Sequence, residues 1–416
     1  MVRGGRRIVP RGSVRPCTRP PARVSADKGG GPASRRLLLF PAMPSYLPDA
    51  VPLPDIRRVL VTKLRHHGDV LLTSPVFATL KRAAPHVEVD ALVYAETAPM
   101  LENHPSIARI HTIDRAWKRR GMRTQLAAEL ALLRALRNRR YDLLVHLTDH
   151  PRGATLVRLL RPRFAVTGER TRKRWLWRAF THFYRLPKRT PRHAVEANLD
   201  ALRRIGVYPE VDDKRLILVP AASASARIDA LLKEHGLERG GFVHAHPGSR
   251  WMFKCWRADS TAALYDRIVA AGHALVLTGA PEPREREHLA AILAQTAPPT
   301  RERIVDVSGS LSLQELAALA ARARVFVGVD SAPMHIAAAM HTPTLALFGP
   351  SGEHEWGPWM VPCRVVVSNA HPCRPCGIDG CGGGKVSECL TSLPVAHVFM
   401  QFQQLLAETG GASSEV

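Results

Sequence analysis

Arg58-Val-Leu-Val-Thr62-Lys-Leu-Arg-His-His-Gly68-Asp69 reads as a buried β-strand that runs into a tight turn and then a helix. The β-branched apolar run 58–62 suits a pleated, enclosed strand. Gly68 lets the backbone turn, and an apolar helical periodicity follows from Asp69 to Ala84. Working outward, Val87–Val93, Ile110–Ile113 and Tyr141–Leu147 have strand character, and the last is preceded by a long helical stretch over Arg123–Asn138. Strands alternating with helices of this length predict a parallel sheet covered on both faces.

The second half repeats the rhythm. Phe242–His246, Ala274–Thr278, Val325–Val329 and Thr344–Phe348 read as strands, with helices over Thr261–Ala271 and Ser312–Ala323. Ser312 with Glu315 three residues on has capping-box spacing. The expected organisation is a basic, disordered arm over 1–54, an N-terminal domain over 55–212, a Pro-, Ala- and Ser-containing linker over 213–240, a C-terminal domain over 241–400 and a tail over 401–416. The fold class is α/β, with two doubly wound, Rossmann-like domains expected to face each other across a cleft. In such sheets ligands bind at the C-terminal strand ends.

With 416 residues, 45% of them hydrophobic, the chain can build two cores. Its formal charge of +23 calls for an anionic partner, whether nucleic acid, a membrane surface or a phosphorylated substrate. No apolar run reaches the length of a membrane span. Leu37–Pro41 is too short for the core of a secretion signal, so a cytoplasmic location is expected. The arm is either a basic tail or the product of a start upstream of Met43.

Chemistry concentrates where strands end. Asp69 is either a helix N-cap or a carboxylate able to take a proton from an acceptor hydroxyl. After Val325–Val329 come Asp330, Ser331, Ala332, Pro333, Met334 and His335; the exposed N–H groups of a helix starting here suit a diphosphate, and an ordinary strand–cap–helix junction is the plain alternative. After Phe242–His246 come Ser249, Arg250 and Lys254; a small polar residue followed by a lysine at a strand end can meet phosphate oxygens, with Trp251 and Trp256 as packing residues. Thr278-Gly-Ala-Pro-Glu282 and Phe348-Gly-Pro-Ser351 close two further strands. The sequence has no strand-linked G-x-G-x-x-G, no G-x-x-x-x-G-K-[ST] and no D-x-D. This argues against dinucleotide oxidoreductases, ATPases and metal-bridged sugar-nucleotide binding.

Together, Lys63-Leu-Arg-His-His-Gly-Asp69, Ser249-Arg-Trp-Met-Phe-Lys-Cys-Trp256, Thr278-Gly-Ala-Pro-Glu282, Val327-Gly-Val-Asp-Ser-Ala-Pro-Met-His335 and Leu347-Phe-Gly-Pro-Ser351 resemble glycosyltransferase family 9 over roughly residues 57–400. These are ADP-heptose:lipopolysaccharide heptosyltransferases of GT-B fold with inverting, metal-independent chemistry. Leu147-Thr-Asp-His-Pro-Arg-Gly-Ala154 and Arg192-His-Ala-Val-Glu196 resemble the heptosyltransferase III branch. The resemblance implies Asp69 as general base and Lys254, beside Ser249 or Arg250, at the diphosphate. It also implies Asp330, Ser331, Ala332 and His335 in the nucleotide-sugar loop, and Glu282 at the nucleoside. Ser-Ala-Pro-Met replaces the Thr-Gly-Leu-Ser of other branches, which leaves Ser331 as the hydroxyl of that loop.

The partners so implied are an ADP-heptose donor, an anionic lipopolysaccharide core acceptor and the inner leaflet of the membrane, with no nucleic acid. Basic runs at Trp117–Arg123, Arg134–Arg140 and Arg170–Arg174 fall in the acceptor half, and the segment Lys173–Tyr184 is either a membrane contact or a helix with a solvated basic face. No cofactor is required by the expected chemistry. Cys373, Cys376, Cys381 and Cys389 are either ligands of a structural zinc ion or reduced thiols. Rival readings are another family 9 transferase with a different acceptor, a basic nucleic-acid-binding protein, and a non-catalytic sugar-nucleotide binder.

Overall fold

The structure, a computed structural model, describes residues 47–169, 178–185 and 192–410. They form two compact units that divide between Ala222 and Ser223.

The N-terminal unit is built on six parallel strands: β1 (Arg58–Thr62), β2 (Glu88–Tyr94), β3 (Arg109–Ile113), β4 (Leu143–His146), β5 (Phe164–Gly168) and β6 (His182–Tyr184). Their order is β3-β2-β1-β4-β5-β6. The chain winds outward from β1 to β3 and then returns to lay β4 against the other side of β1, so the crossover direction reverses between β1 and β4. Val59, Leu60 and Val61 are all buried, as expected of a central strand covered on both faces. One face packs Leu60, Leu92, Leu144 and Ala165 under Leu136, Leu156 and Val157.

The C-terminal unit repeats this plan with β7 (Phe242–His246), β8 (Ala274–Leu277), β9 (Ile304–Asp306), β10 (Val325–Val329), β11 (Thr344–Leu347) and β12 (Cys363–Val366), in the order β12-β11-β10-β7-β8-β9. Here the reversal falls between β7 and β10. Val243, Ala245, Leu275 and Val327 pack beneath Tyr265, Ile268, Phe402 and Leu405 on one face. Phe242 and Val276 meet Ile228, Leu232 and Leu319 on the other. Ser312 caps the helix Leu313–Ala320 through a complete capping box with Glu315.

Several expectations are corrected. The helix expected over 69–84 is two helices, His67–Leu71 and Ser74–Ala83. Pro75 in the first turn of the second supplies no N–H to continue the first, and the Thr73 hydroxyl bonds back to the Val70 carbonyl at 2.6 Å. Residues 47–54 of the expected arm join the fold, since Val51 is buried and its N–H donates to the Ile205 carbonyl; the rest of the arm lies outside the described residues. The stretch 213–240 carries a helix, Ala222–Glu234, that buries Ala224, Ile228 and Leu232. The expected tail is helical to Gly410, because Val398, Phe402 and Leu405 recur at helical spacing and enter the core. Strands β5, β6, β9 and β12, all short, have no counterpart in the sequence reading.

Candidate active site

Both reversal points of the sheets carry the residues singled out above. In the C-terminal unit, Lys254 ends a single 3-10 turn after β7 and Asp330 follows β10. The neighbouring register of β7 and β10 brings the two together, and Lys254 Nζ donates to Asp330 Oδ2 at 2.6 Å. Asp330 is buried and Lys254 partly exposed, so the ammonium is held at the strand ends with one side open. Ser331 occupies the N-cap position of the helix Ala332–Ala339, but its hydroxyl turns back to the Val329 carbonyl at 3.3 Å and caps nothing. The first N–H groups of that helix therefore receive no side-chain cap. Ala332 begins the helix, Pro333 fits its first turn, and His335 is buried one turn in.

Ser249 is buried and accepts the Trp251 N–H at 3.4 Å. Arg250 is exposed and stacks its guanidinium over Trp251 at 5.5 Å. A pocket of about 440 Å³ opens beside Lys254, walled by Trp251, Phe253, Ser351, Glu355 and Trp356. Glu282, at the N-cap of the helix Pro283–Gln295, is exposed and caps nothing. The carboxylate that does face inward is Glu285, one turn later. It accepts the Ala280 N–H at 3.2 Å and lies 3.9 Å from His246 Nε2, and burial raises its pKa. A β-carbon on Gly248 would stand 2.5 Å from Glu285 Oε2, so glycine at 248 is what admits that carboxylate. The sequence reading missed Glu285. A signal existed in its position one turn inside the helix, but the neighbouring Glu282 and Glu287 offered the same residue type.

In the N-terminal unit, Asp69 lies in the first turn of His67–Leu71, half-buried after β1. It is not the cap, since His66 holds that position. No side chain among the described residues donates a hydrogen bond to the Asp69 carboxylate. Its charged neighbour is Lys63, whose ammonium reaches inward to the Leu147 carbonyl and Asn198 Oδ1, each at 3.1 Å. Desolvation lowers the Lys63 pKa to about 8, with Asp69 pulling the other way. Lys63 opens the motif that contains Asp69, yet nothing in the sequence showed that it folds inward.

The segment after β4 supports this corner. Thr62 Oγ1 and His146 Nδ1 lie 2.5 Å apart, and a β-carbon on Gly153 would stand 2.2 Å from His146 Nε2. Thr148 Oγ1 accepts the Leu64 N–H, and His150 caps the helix Pro151–Leu160 through the Arg152 N–H. Arg192 and Glu196 belong to an ion-pair network with Asp200, Arg203 and Lys214, which makes them framework residues. Cys373, Cys376 and Cys381 are exposed free thiols, and Cys389 is a buried one. Among the described residues no group of three or more potential ligands is arranged to hold a metal ion.

Residues 129–386 match the family described as glycosyltransferase family 9 (heptosyltransferase). The chain belongs to that family. It is 35% identical over 302 residues to a lipopolysaccharide heptosyltransferase 3 of Escherichia coli, an overlap covering 71% of this chain and 84% of the relative. It is 27% identical to lipopolysaccharide heptosyltransferase 1 of Pseudomonas aeruginosa, covering 77% and 86%. Among solved structures, the family 9 glycosyltransferase of Veillonella parvula superposes with a TM-score of 0.72 at 23% identity, covering 86% of this chain and 99% of that one. The E. coli ADP-heptose heptosyltransferase II gives 0.67 at 19%, covering 85% and 99%. The family 9 chain is thus a glycosyltransferase, and its fold is that of these GT-B enzymes. In family 9 terms, the two motifs that opened the reading, around Asp69 and around Asp330, lie at the reversal points of their respective sheets.

Proposed function

We propose that this enzyme transfers heptose from ADP-heptose to an inner-core heptose of lipopolysaccharide, with inversion, in the manner of heptosyltransferase III. The observation that carries the reading is Lys254 held on Asp330 at the reversal point of the C-terminal sheet, beside an uncapped helix N-terminus. A lysine and the positive end of the helix dipole supply the field that a departing diphosphate requires. The 440 Å³ pocket beside Lys254 receives the groups attached to that diphosphate.

Asp69 takes the proton from the acceptor hydroxyl as its oxygen attacks the anomeric carbon of the donor. The bond from that carbon to the diphosphate oxygen breaks, and ADP leaves with its charge balanced by Lys254 and the helix end. Nothing in this sequence of events requires a metal or cofactor, so transfer is expected to persist in EDTA. Ser249, Arg250, Ser331, Ala332 and His335 complete the donor site. Glu282, exposed at the start of its helix, is the carboxylate proposed for the nucleoside, with the buried Glu285 supporting the turn before it through the Ala280 N–H. The acceptor is an anionic glycolipid, so the enzyme works at the inner leaflet of the cytoplasmic membrane and its basic surface serves lipid and core phosphate, not nucleic acid. Among the described residues no helix is long and apolar enough to cross a membrane.

The test is mass spectrometry of truncated core lipopolysaccharides incubated with ADP-heptose. One heptose added to a core that already carries two, lost with Asp69→Asn, is the expected result. Addition only to a shorter core would move the acceptor within the family. No addition to any core by a folded enzyme would overturn the reading.

A further inference from the structure

The helix Met122–Arg139 is out of keeping with the rest of its unit. Of its 18 residues only Leu136 is fully buried. Met122, Leu126 and Leu130 recur every four residues, hence along one stripe, and are 86%, 60% and 41% exposed. Leu159, from the helix Pro151–Leu160, adds a fourth exposed aliphatic side chain. The stripe continues into an apolar groove of about 350 Å³ walled by Leu130, Leu133, Leu156 and Leu159. Met122 and Leu126 are the most exposed large hydrophobic side chains of the described protein.

The charge around this stripe identifies its occupant. Residues 115–140 hold nine Lys or Arg and one acidic residue, Glu129, which is paired with Arg152. Arg123 and Arg134 are exposed on the helix beside the stripe, and neither has an ion-pair partner among the described residues. Arg161 is exposed just past Leu159. An aliphatic stripe bordered by cations is the pattern of a helix lying in the interface of an anionic bilayer, with side chains among the acyl chains and guanidinium groups among the headgroups. A second copy of this face would bring like charges together. A nucleic acid would call for stacking aromatics, and the stripe has none.

We infer that the helix Met122–Arg139, with Leu159 beside it, is the element that seats this enzyme on an anionic lipid surface. The inference rests on the membrane-surface part of the proposed function but not on the transfer reaction, because lipid binding needs neither donor nor acceptor.

The experiment is sedimentation of the full chain with vesicles of phosphatidylcholine alone or with three parts in ten phosphatidylglycerol, containing no lipopolysaccharide. Wild type is expected to bind the anionic vesicles, weakening with salt. The double substitution Met122→Glu/Leu126→Glu, on exposed positions that leave the core intact, should weaken partitioning by about tenfold or more, as expected from losing two inserted side chains and adding two anions. Met400→Glu, at an exposed apolar position of the other unit, should change it little. Equal binding by the double variant and wild type would overturn the inference, as would no binding of wild type to anionic vesicles. It would be overturned too if light scattering showed a wild-type dimer that the double variant dissolves, with lipid binding unaltered. The double variant should still transfer heptose to a delipidated soluble core, so failure of seating and failure of the transfer reading give different results.

Discussion

At the residue scale the proposed mechanism rests on Asp69, Lys254 and Asp330, and each can be removed separately. Asp69 accepts no side-chain hydrogen bond among the described residues, so Asp69→Asn should leave the fold intact. It should lower transfer by roughly 10²- to 10⁴-fold, the usual worth of a general base. A single-turnover assay with saturating donor checks this, and an unchanged rate would remove Asp69 from the mechanism. Lys254→Met removes the cation facing the leaving group, with an expected loss of about 10²- to 10³-fold in kcat. It also strands the buried Asp330 carboxylate, so its thermal melt must be compared with that of Lys254→Arg, which keeps a charge for Asp330. These residues stood out in the sequence because the motifs around them are distinctive. Lys63 and Glu285 did not, since whether such a side chain turns inward depends on partners far along the chain, Asn198 for one and Gly248 for the other.

At the scale of elements, the central strands and the edge strand β3 were legible, and β5, β6, β9 and β12 were not. β1 over Val59–Val61 and β10 over Val325–Val329 are continuous apolar runs because they are covered on both faces, and that burial is written in composition; β7 is as buried but carries His244 and His246. β6 and β9 have three residues each and rely on neighbours for their pairing. The close fit of β10 against β7 leads to a prediction. A β-carbon on Gly328 would stand 2.7 Å from the His246 carbonyl oxygen and against the Phe326 ring. Gly328→Ala should therefore destabilise the C-terminal unit by about 1–3 kcal/mol, as overpacking does. Because it presses on the strand that leads to Asp330, it should also weaken ADP binding. Calorimetry and titration with ADP measure the two effects, and a melt equal to wild type would show that the sheet relaxes freely there.

For the whole molecule, the buried histidines set the response to acid. Burial lowers the pKa of His104 and His246 to about 4 and that of His146 and His244 to about 3. The native state keeps them neutral, while the unfolded chain takes up their protons below about 6.5. Stability is therefore full above that value and falls as pH drops from about 6.5 toward 4, by up to about 1.4 kcal/mol per pH unit for each histidine. Asp90 acts in the same sense at lower pH, since its folded-state pKa is also depressed. Burial would raise its pKa, but hydrogen bonds from His111, Arg139 and Tyr141 prevail and hold it at about 2, so its contribution disappears only below about pH 4. Urea midpoints should thus decline already between pH 7.5 and 5, before carboxylates protonate, and a flat midpoint over that range would contradict the burial of these imidazoles. The sequence by itself determined the alternation of strand and helix, the two-fold repeat of that rhythm and the motifs that fall at strand ends, because periodicity and turn residues are local properties of the chain. Only the tertiary structure decided that Lys254 meets Asp330, that Glu285 and not Glu282 faces inward, and that the helix Met122–Arg139 leaves Met122, Leu126 and Leu130 uncovered, because these outcomes depend on which distant elements pack against one another.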